Sequence, residues 1–319
     1  MTISSAQLDQ PVEQLILPAV RDLGDGFTVR RALPSAKRRM VGPFIFLDHF
    51  GPTILAAGEG QDVRPHPHIG LSTLTYLLEG EIIHRDSEGN VQTVRAGDVN
   101  WMTAGQGIVH SERTPADVRA KGGTMFGQQV WVALPKAMEE IEPRFSNHVE
   151  GTLPGVEAGD VSLTIVAGEA FGVQSPVPVH SDLMYVDAVL KRDARLQIPA
   201  DHIERAAFVV SGEVEVEGQT GSFGAMQLVV FKPGAEIVLK ARSCTHLMLL
   251  GGEPFAEPRH IYWNFVSSSS DRIEQAKDDW RRGRFRGIAG ETEFIPLPPD
   301  PPGYAAVDKK PAIVAAGNR

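Results

Sequence analysis

Two pairs of side chains in this sequence could do chemistry together. RPHPHIG sets His66 and His68 one residue apart, and some forty residues on IVHSER sets His110 and Glu112 at the same spacing. On an extended strand residues i and i+2 face the same way, so each pair would project two donor groups in parallel. If the two segments are facing strands of one barrel, three neutral imidazoles and a carboxylate converge, a donor set that suits a divalent first-row metal. One His-x-His alone is a weak signal, because histidines in a solvated turn show the same pattern. Two pairs at barrel-compatible spacing, in a chain with ten histidines, favour a metal centre over surface histidines. Pro67 cannot donate to a strand ladder, so the first pair should lie at a sheet edge or barrel mouth.

The elements that must position these pairs read as strands. Between residues 25 and 265 short apolar or alternating runs recur, among them LSTLTYLL, VQTVRA, AFVVSG and MQLVVF, with turn residues between them. That spacing argues for an all-β protein of barrel or sandwich type. The pattern also repeats: YLLEGEIIHRDSEGNVQTVRAGDVNWM and FVVSGEVEVEGQTGSFGAMQLVVF both run through Gly-Glu (Gly80-Glu81, Gly212-Glu213) to a Gly-led segment at Gly97 and Gly224. Two tandem antiparallel β-barrels are the simplest account. The expected division is a metal-binding barrel over 1–135, a linker and start of the second barrel over 136–170, the second barrel over 171–265, and a helix with a proline-rich tail over 266–319. Aligning Gly212 with Gly80 puts Ile198 and Ala200 where His66 and His68 stand, so the second barrel should hold no metal. His202 and His246 lie near but lack paired spacing. In SSSSDRIEQAKDDWRRGRF, Ile273, Ala276 and Trp280 share one helical face, with the charges expected in water.

Composition narrows the function. Of 319 residues 42% are hydrophobic and 22% charged, the balance of a soluble globular protein. A net charge of −9 with no run of Lys and Arg argues against direct nucleic-acid binding. No segment is apolar enough to cross a bilayer and the N-terminus does not read as a signal peptide, so a cytoplasmic protein is the default. The single cysteine, Cys244, excludes an internal disulfide and is expected to be a buried structural thiol. His84 belongs either beside the site or in a solvated hairpin, and His49 either lines the pocket or does not. Trp101 and Met102 are expected to be core rather than substrate contacts, and Asp98 to fix a turn.

The first half resembles a cupin. Gly60, five residues and His66-Pro67-His68 follow the first cupin motif, with Gly80 at its closing glycine. Thr73 stands where that motif usually carries a ligating Glu, while Glu112 arrives two residues after His110. PFIFLDHFGP (43–52), AGDVNWMTAGQGIVHSE (96–112), GQQVWVALPKAMEEIEPRF (127–145) and GGEPFAEPRHIYWNFV (251–266) are similar to the pirin family, a resemblance that spans residues 20–285. It implies a jelly-roll bicupin with one metal held by His66, His68, His110 and Glu112. Iron(II) is the first choice, with manganese, nickel, cobalt, copper or zinc as alternatives. The resemblance further implies a quercetinase-like flavonol 2,3-dioxygenase that uses O2 and releases carbon monoxide, with Glu112 as ligand and general base. Its other implication is a non-enzymatic regulator, switched by the metal's oxidation state, that binds a transcription factor or metabolic enzyme. A monomer is expected.

Overall fold

The computed structural model describes residues 10–24 and 27–300. Within them the chain folds into two barrels, each made of a small sheet facing a large one. In the first barrel the small sheet runs, in spatial order, Val63–His68, Ile108–Arg113, Glu81–Asp86 and Val91–Arg95. The strand of His66 is therefore an edge strand, where Pro65 and Pro67 cost no ladder hydrogen bond on the solvent side. The facing sheet is ordered Arg144–His148, Val99–Thr103, Leu71–Glu79, Gly123–Ala133, Phe44–Leu55, Thr28–Leu33 and Ala19–Asp22.

The second barrel repeats this order strand for strand. Its small sheet is Arg195–Ile198, Ile237–Ala241, Glu213–Val216 and Ser222–Gly224. Its large sheet centres on Glu204–Ser211, Thr245–Gly252, Leu183–Leu190 and Val161–Ala170. Gly80 and Gly212 make the corresponding turns at φ of 93° and 83°. A Cβ on Gly80 would stand 2.3 Å from the Thr124 carbonyl oxygen, and one on Gly212 2.5 Å from that of Cys244. Only glycine fits this conformation with this close an approach.

The barrels are laced together. The first described strand, Val12–Ile16, pairs with Gln227–Phe231 of the second barrel, although the chain order would place it in the first. The stretch 136–170, read as a linker, supplies Arg144–His148 to the first barrel and Val161–Ala170 to the second. The two large sheets also pack against each other. Phe44, Leu74, Trp101 and Val130 of one share a single buried cluster with Tyr185, Phe208, Val230 and Leu250 of the other. Sheets covered on both faces need near-continuous apolar strands, which explains runs such as LSTLTYLL.

The C-terminal helix, Ser270–Arg281, starts at Ser269, whose hydroxyl accepts from the Arg272 N–H at 3.4 Å. Ile273 and Ala276 pack on Ile69 and Phe265 beneath the first barrel. The expectation that all its charges face water fails at Lys277. That ammonium is buried over the Tyr262 ring at 4.2 Å and paired with Glu274 at 2.8 Å and Asp300 at 2.7 Å. The expected burial of Cys244 fails as well: it is exposed, in the turn between Ile237–Ala241 and Thr245–Gly252, where no apolar surface reaches it. The tail beyond Asp300 lies outside the described residues. No helix among the described residues is long and apolar enough to cross a membrane.

Candidate metal centre

The edge strand and its neighbour place the histidines by register. His110 stands opposite His66, and Ile108 opposite His68. Alternation then turns all three imidazoles into the barrel, where each is buried. Their nearest ring nitrogens lie within 4.8 Å of one another, and His68 Nε2 is 3.1 Å from His110 Nε2. Among the described residues they are the one His/Cys/Asp/Glu group this compact that could hold an ion. Burial pulls the pKa of each ring down, His66 to about 4, and the neighbouring imidazoles add to the effect on His68 and His110. All three are therefore neutral near pH 7, with lone pairs available to a cation.

The outer nitrogens of His66 and His110 are held. His66 Nδ1–H donates to the Arg64 carbonyl at 2.9 Å, which leaves Nε2 free to ligate. Behind His110, its Nδ1 meets His84 Nδ1 at 3.4 Å, and His84 Nε2 meets Asp86 Oδ2 at 3.2 Å. A proton on each donor in turn gives a chain from Asp86 through His84 to His110, which sets the tautomer of His110 and aims Nε2 inward. Asp86 is anchored by the N–H groups of Glu88 and Asn90 in the hairpin, and His84 stacks on Phe145 at 4.6 Å. His84 thus belongs beside the site and not in a solvated hairpin.

Glu112 is positioned differently. Between His110 and Glu112 the register slips, with Glu112 opposite Val63, so the His66 strand carries one extra residue there. The carboxylate faces the cavity shared by His66 and His68, where its Oε1 lies 3.4 Å from the Thr75 hydroxyl. Burial raises its pKa above the ordinary carboxylate range, against the opposing pull of His84 and Thr75.

The cavity measures about 300 Å³. Phe46 and Trp131, opposite each other on neighbouring strands, stack ring on ring at 3.9 Å and 10°, and Trp131 meets His68 edge-on at 5.0 Å. Phe50, Ile82 and Met125 extend the apolar lining. Six polar residues that sequence reasoning passed over also face it: Arg31, Asp48, Gln61, Thr75, Gln129 and Asn264. Their only signal was a polar side chain inside an apolar run, as in FIFLDHF and GQQVWV. Thr75, and not the motif-aligned Thr73, is the threonine beside Glu112.

The remaining expectations fall to one side or the other. Asp98 closes its turn by accepting from the N–H of Arg95 and of Glu150, each at 3.1 Å. Trp101 and Met102 are core. His49 does not line the cavity: it points to the opposite face, between the barrels, with Nδ1 3.3 Å from Gln128 Nε2 and its edge against Phe126 and Phe208. His246 binds Asp187 at 2.6 Å, and His202 the Glu169 carbonyl at 3.0 Å, both away from the three-histidine group.

Two such barrels in tandem, one with an imidazole cluster that suits a metal ion, define a bicupin. The chain belongs to the pirin family. Residues 26–132 match the family described as Pirin, and residues 185–286 the Pirin C-terminal cupin domain. It is 53% identical over 283 residues to a pirin-like protein of Caulobacter vibrioides, covering 87% of this chain and 96% of that one. Among solved structures it is similar to a quercetin 2,3-dioxygenase from Acinetobacter baumannii, with a TM-score of 0.84 and 35% identity over 92% of this chain and 97% of that one. A bacterial pirin from Escherichia coli, solved in complex with nickel(II), shares the fold at 20% identity and a TM-score of 0.59, with 76% of this chain and 99% of that one covered.

Proposed function

We propose that this protein is a metal-dependent flavonol 2,3-dioxygenase. The observation that carries the reading is the pairing of three neutral imidazoles with a cavity lined by aromatic and aliphatic side chains. His66, His68 and His110 would hold one divalent ion, with Glu112 as a fourth ligand. Three nitrogens and a carboxylate suit iron(II) first; manganese, nickel, cobalt, copper and zinc accept the same donors. When bound, the metal would supply Lewis acidity toward a chelating hydroxyketone and a means of engaging O2.

The chain's own residues do the rest. The apolar cavity bounded by Phe50, Ile82, Met125 and Trp131 receives a flat ring system and turns its hydroxyketone edge toward the histidines. Glu112, which faces the same cavity as His66 and His68, takes the proton of the 3-hydroxyl. The Thr75 hydroxyl steadies the carboxylate while the apolar lining keeps water out. The flavonol's central ring then opens with O2 to a depside and carbon monoxide.

The test is to load the protein with iron(II), add quercetin without oxygen, and then admit O2. Loss of the flavonol absorbance with release of carbon monoxide supports the reading. An unchanged flavonol band refutes it for quercetin, and metal content by mass spectrometry on protein made without chelators identifies the ion. In that event the acidic surface, net charge −9, makes a regulator that binds another protein the next reading to test.

A further inference from the structure

Four residues cross the cavity on adjacent strands. Arg31 stands opposite Asp48, Asp48 opposite Gln129, and Gln129 opposite Thr75. All four face the cavity, and the row ends at Glu112. From the strand of Arg31 to that of Thr75 it spans three strand spacings, about 14 Å. Arg31 is thus at the far end of the cavity wall from the carboxylate beside the metal ligands.

The second barrel acts as an internal control. Register places Ile165 at the position of Arg31, Val186 at Asp48, Leu249 at Gln129 and Ala207 at Thr75. All four are buried and apolar. The fold therefore accepts an apolar row here, and a buried ion pair rarely stabilises more than the hydrophobic pair that could replace it. The polar row in the first barrel calls for a reason other than folding.

Arg31 is built to present one edge. Its Nε and Nη2 donate to the two oxygens of Asp48 at 2.8 and 2.7 Å. Its guanidinium lies 4.3 Å over the Phe46 ring, which in turn stacks on Trp131. Among the described residues Nη1 makes no hydrogen bond, and the side chain stays 26% exposed. Held on two sides, the guanidinium offers a fixed donor edge at little further entropic cost.

We infer that Arg31 is a specificity residue, and that the substrate carries an anionic oxygen at the end remote from its chelating pair. That oxygen, on a carboxylate or an ionised phenol, accepts from Arg31 while the chelating oxygens sit at the histidines. This rests on reading the cavity as the site of a flat, chelating aromatic. Asp48 offsets much of the guanidinium charge, so the preference is set by hydrogen-bond geometry more than by net charge.

The test measures binding, not turnover. Zinc-loaded protein, which is redox-inert, is titrated with 3-hydroxyflavone and with its 4′-carboxylate. Wild type should bind the carboxylate about tenfold tighter, the contribution of one charge-assisted hydrogen bond. The double variant Arg31→Ile/Asp48→Val copies the pair that the second barrel folds with, and its preference ratio should fall to near one. Asp48→Asn, which removes one of the two oxygens that fix the guanidinium, should narrow the ratio. Equal binding in wild type, a ratio that survives in the double variant, or failure to bind either ligand would each overturn the inference. Iron-loaded protein that binds both ligands but never cleaves them refutes the dioxygenase reading alone.

Discussion

The two barrels use one strand order for opposite interiors. Matched through their Gly80 and Gly212 turns, His66 corresponds to Ile198, His110 to Ile237, Glu112 to Leu239 and His84 to Val216. Those four residues of the second barrel belong to one filled apolar cluster, while their counterparts face a cavity or back the residues that do. Arg205 takes the place of Thr73. It is fully buried and donates to the carbonyls of Pro199 at 3.0 Å and Ala235 at 2.7 Å, so a guanidinium ties together the ends of two small-sheet strands. The difference teaches that the fold does not need the histidines. A cluster of buried imidazoles with depressed pKa values costs stability, and such groups persist where function retains them.

The comparison breaks most directly by rewriting one interior as the other. His66→Ile, His110→Ile and Glu112→Leu together should abolish metal binding, read as metal content after dialysis against the ion. They should also leave Tm unchanged or higher, because apolar residues of similar volume replace buried polar ones. A protein that no longer folds would show that the histidines are structural. His110→Ala alone should likewise lose the metal, and flavonol cleavage with it; cleavage without metal would sink the assignment.

The seam between the barrels gives the next largest effect. Burial holds His49 at a pKa of about 4, with the charges of Arg30 and His246 adding to the shift. An unfolded histidine titrates near 6.5, so as pH falls from 6.5 toward 4 the unfolded chain gains a proton that the folded protein refuses. Stability should fall across that window and level off below it, by up to about 3 kcal/mol. Urea midpoints at pH 7 and pH 4.5 measure this, and His49→Gln should make the slope shallower, the remainder belonging to His66, His68 and His110, which refuse protons in the same way. An unchanged slope in that variant would move the acid sensitivity to another group.

Much of this was legible in the sequence, for identifiable reasons. The i, i+2 spacing of His66 and His68, the proline that demands an edge, and the doubled Gly-Glu turn are local signals, and local signals survive without a structure. The row of Arg31, Asp48, Gln129 and Thr75 was not legible. Those residues meet only through the register of four strands from distant parts of the chain, and register is invisible to a pattern read along one strand. Lys277 was assigned to water because helical periodicity places a side chain on a face without saying what covers it.

A smaller effect is expected behind His110. His84→Phe keeps the ring stacked on Phe145 but breaks the chain from Asp86, so metal affinity should weaken by about 10- to 100-fold. Competition with a chromophoric chelator reads the affinity. The absorption bands of the cobalt(II) protein report whether the coordination geometry shifts, which a merely structural role would not alter. Unchanged affinity and bands would reduce His84 to packing.

The smallest effect concerns the connection after the fourth small-sheet position in each barrel. In the first barrel it runs from Thr114 to Gly122 and includes the helix Ala116–Lys121, with Arg119 clamped to both oxygens of Asp62 at 2.7 Å beside the cavity residue Gln61. In the second it shrinks to Arg242–Cys244, a turn with no cavity to rim. Cys244 is exposed there, so Cys244→Ser should change stability by no more than about 0.5 kcal/mol. A native-state thiol titration should label the single cysteine in full. A protected thiol, or a cost well above that limit, would mean that the short turn packs against something.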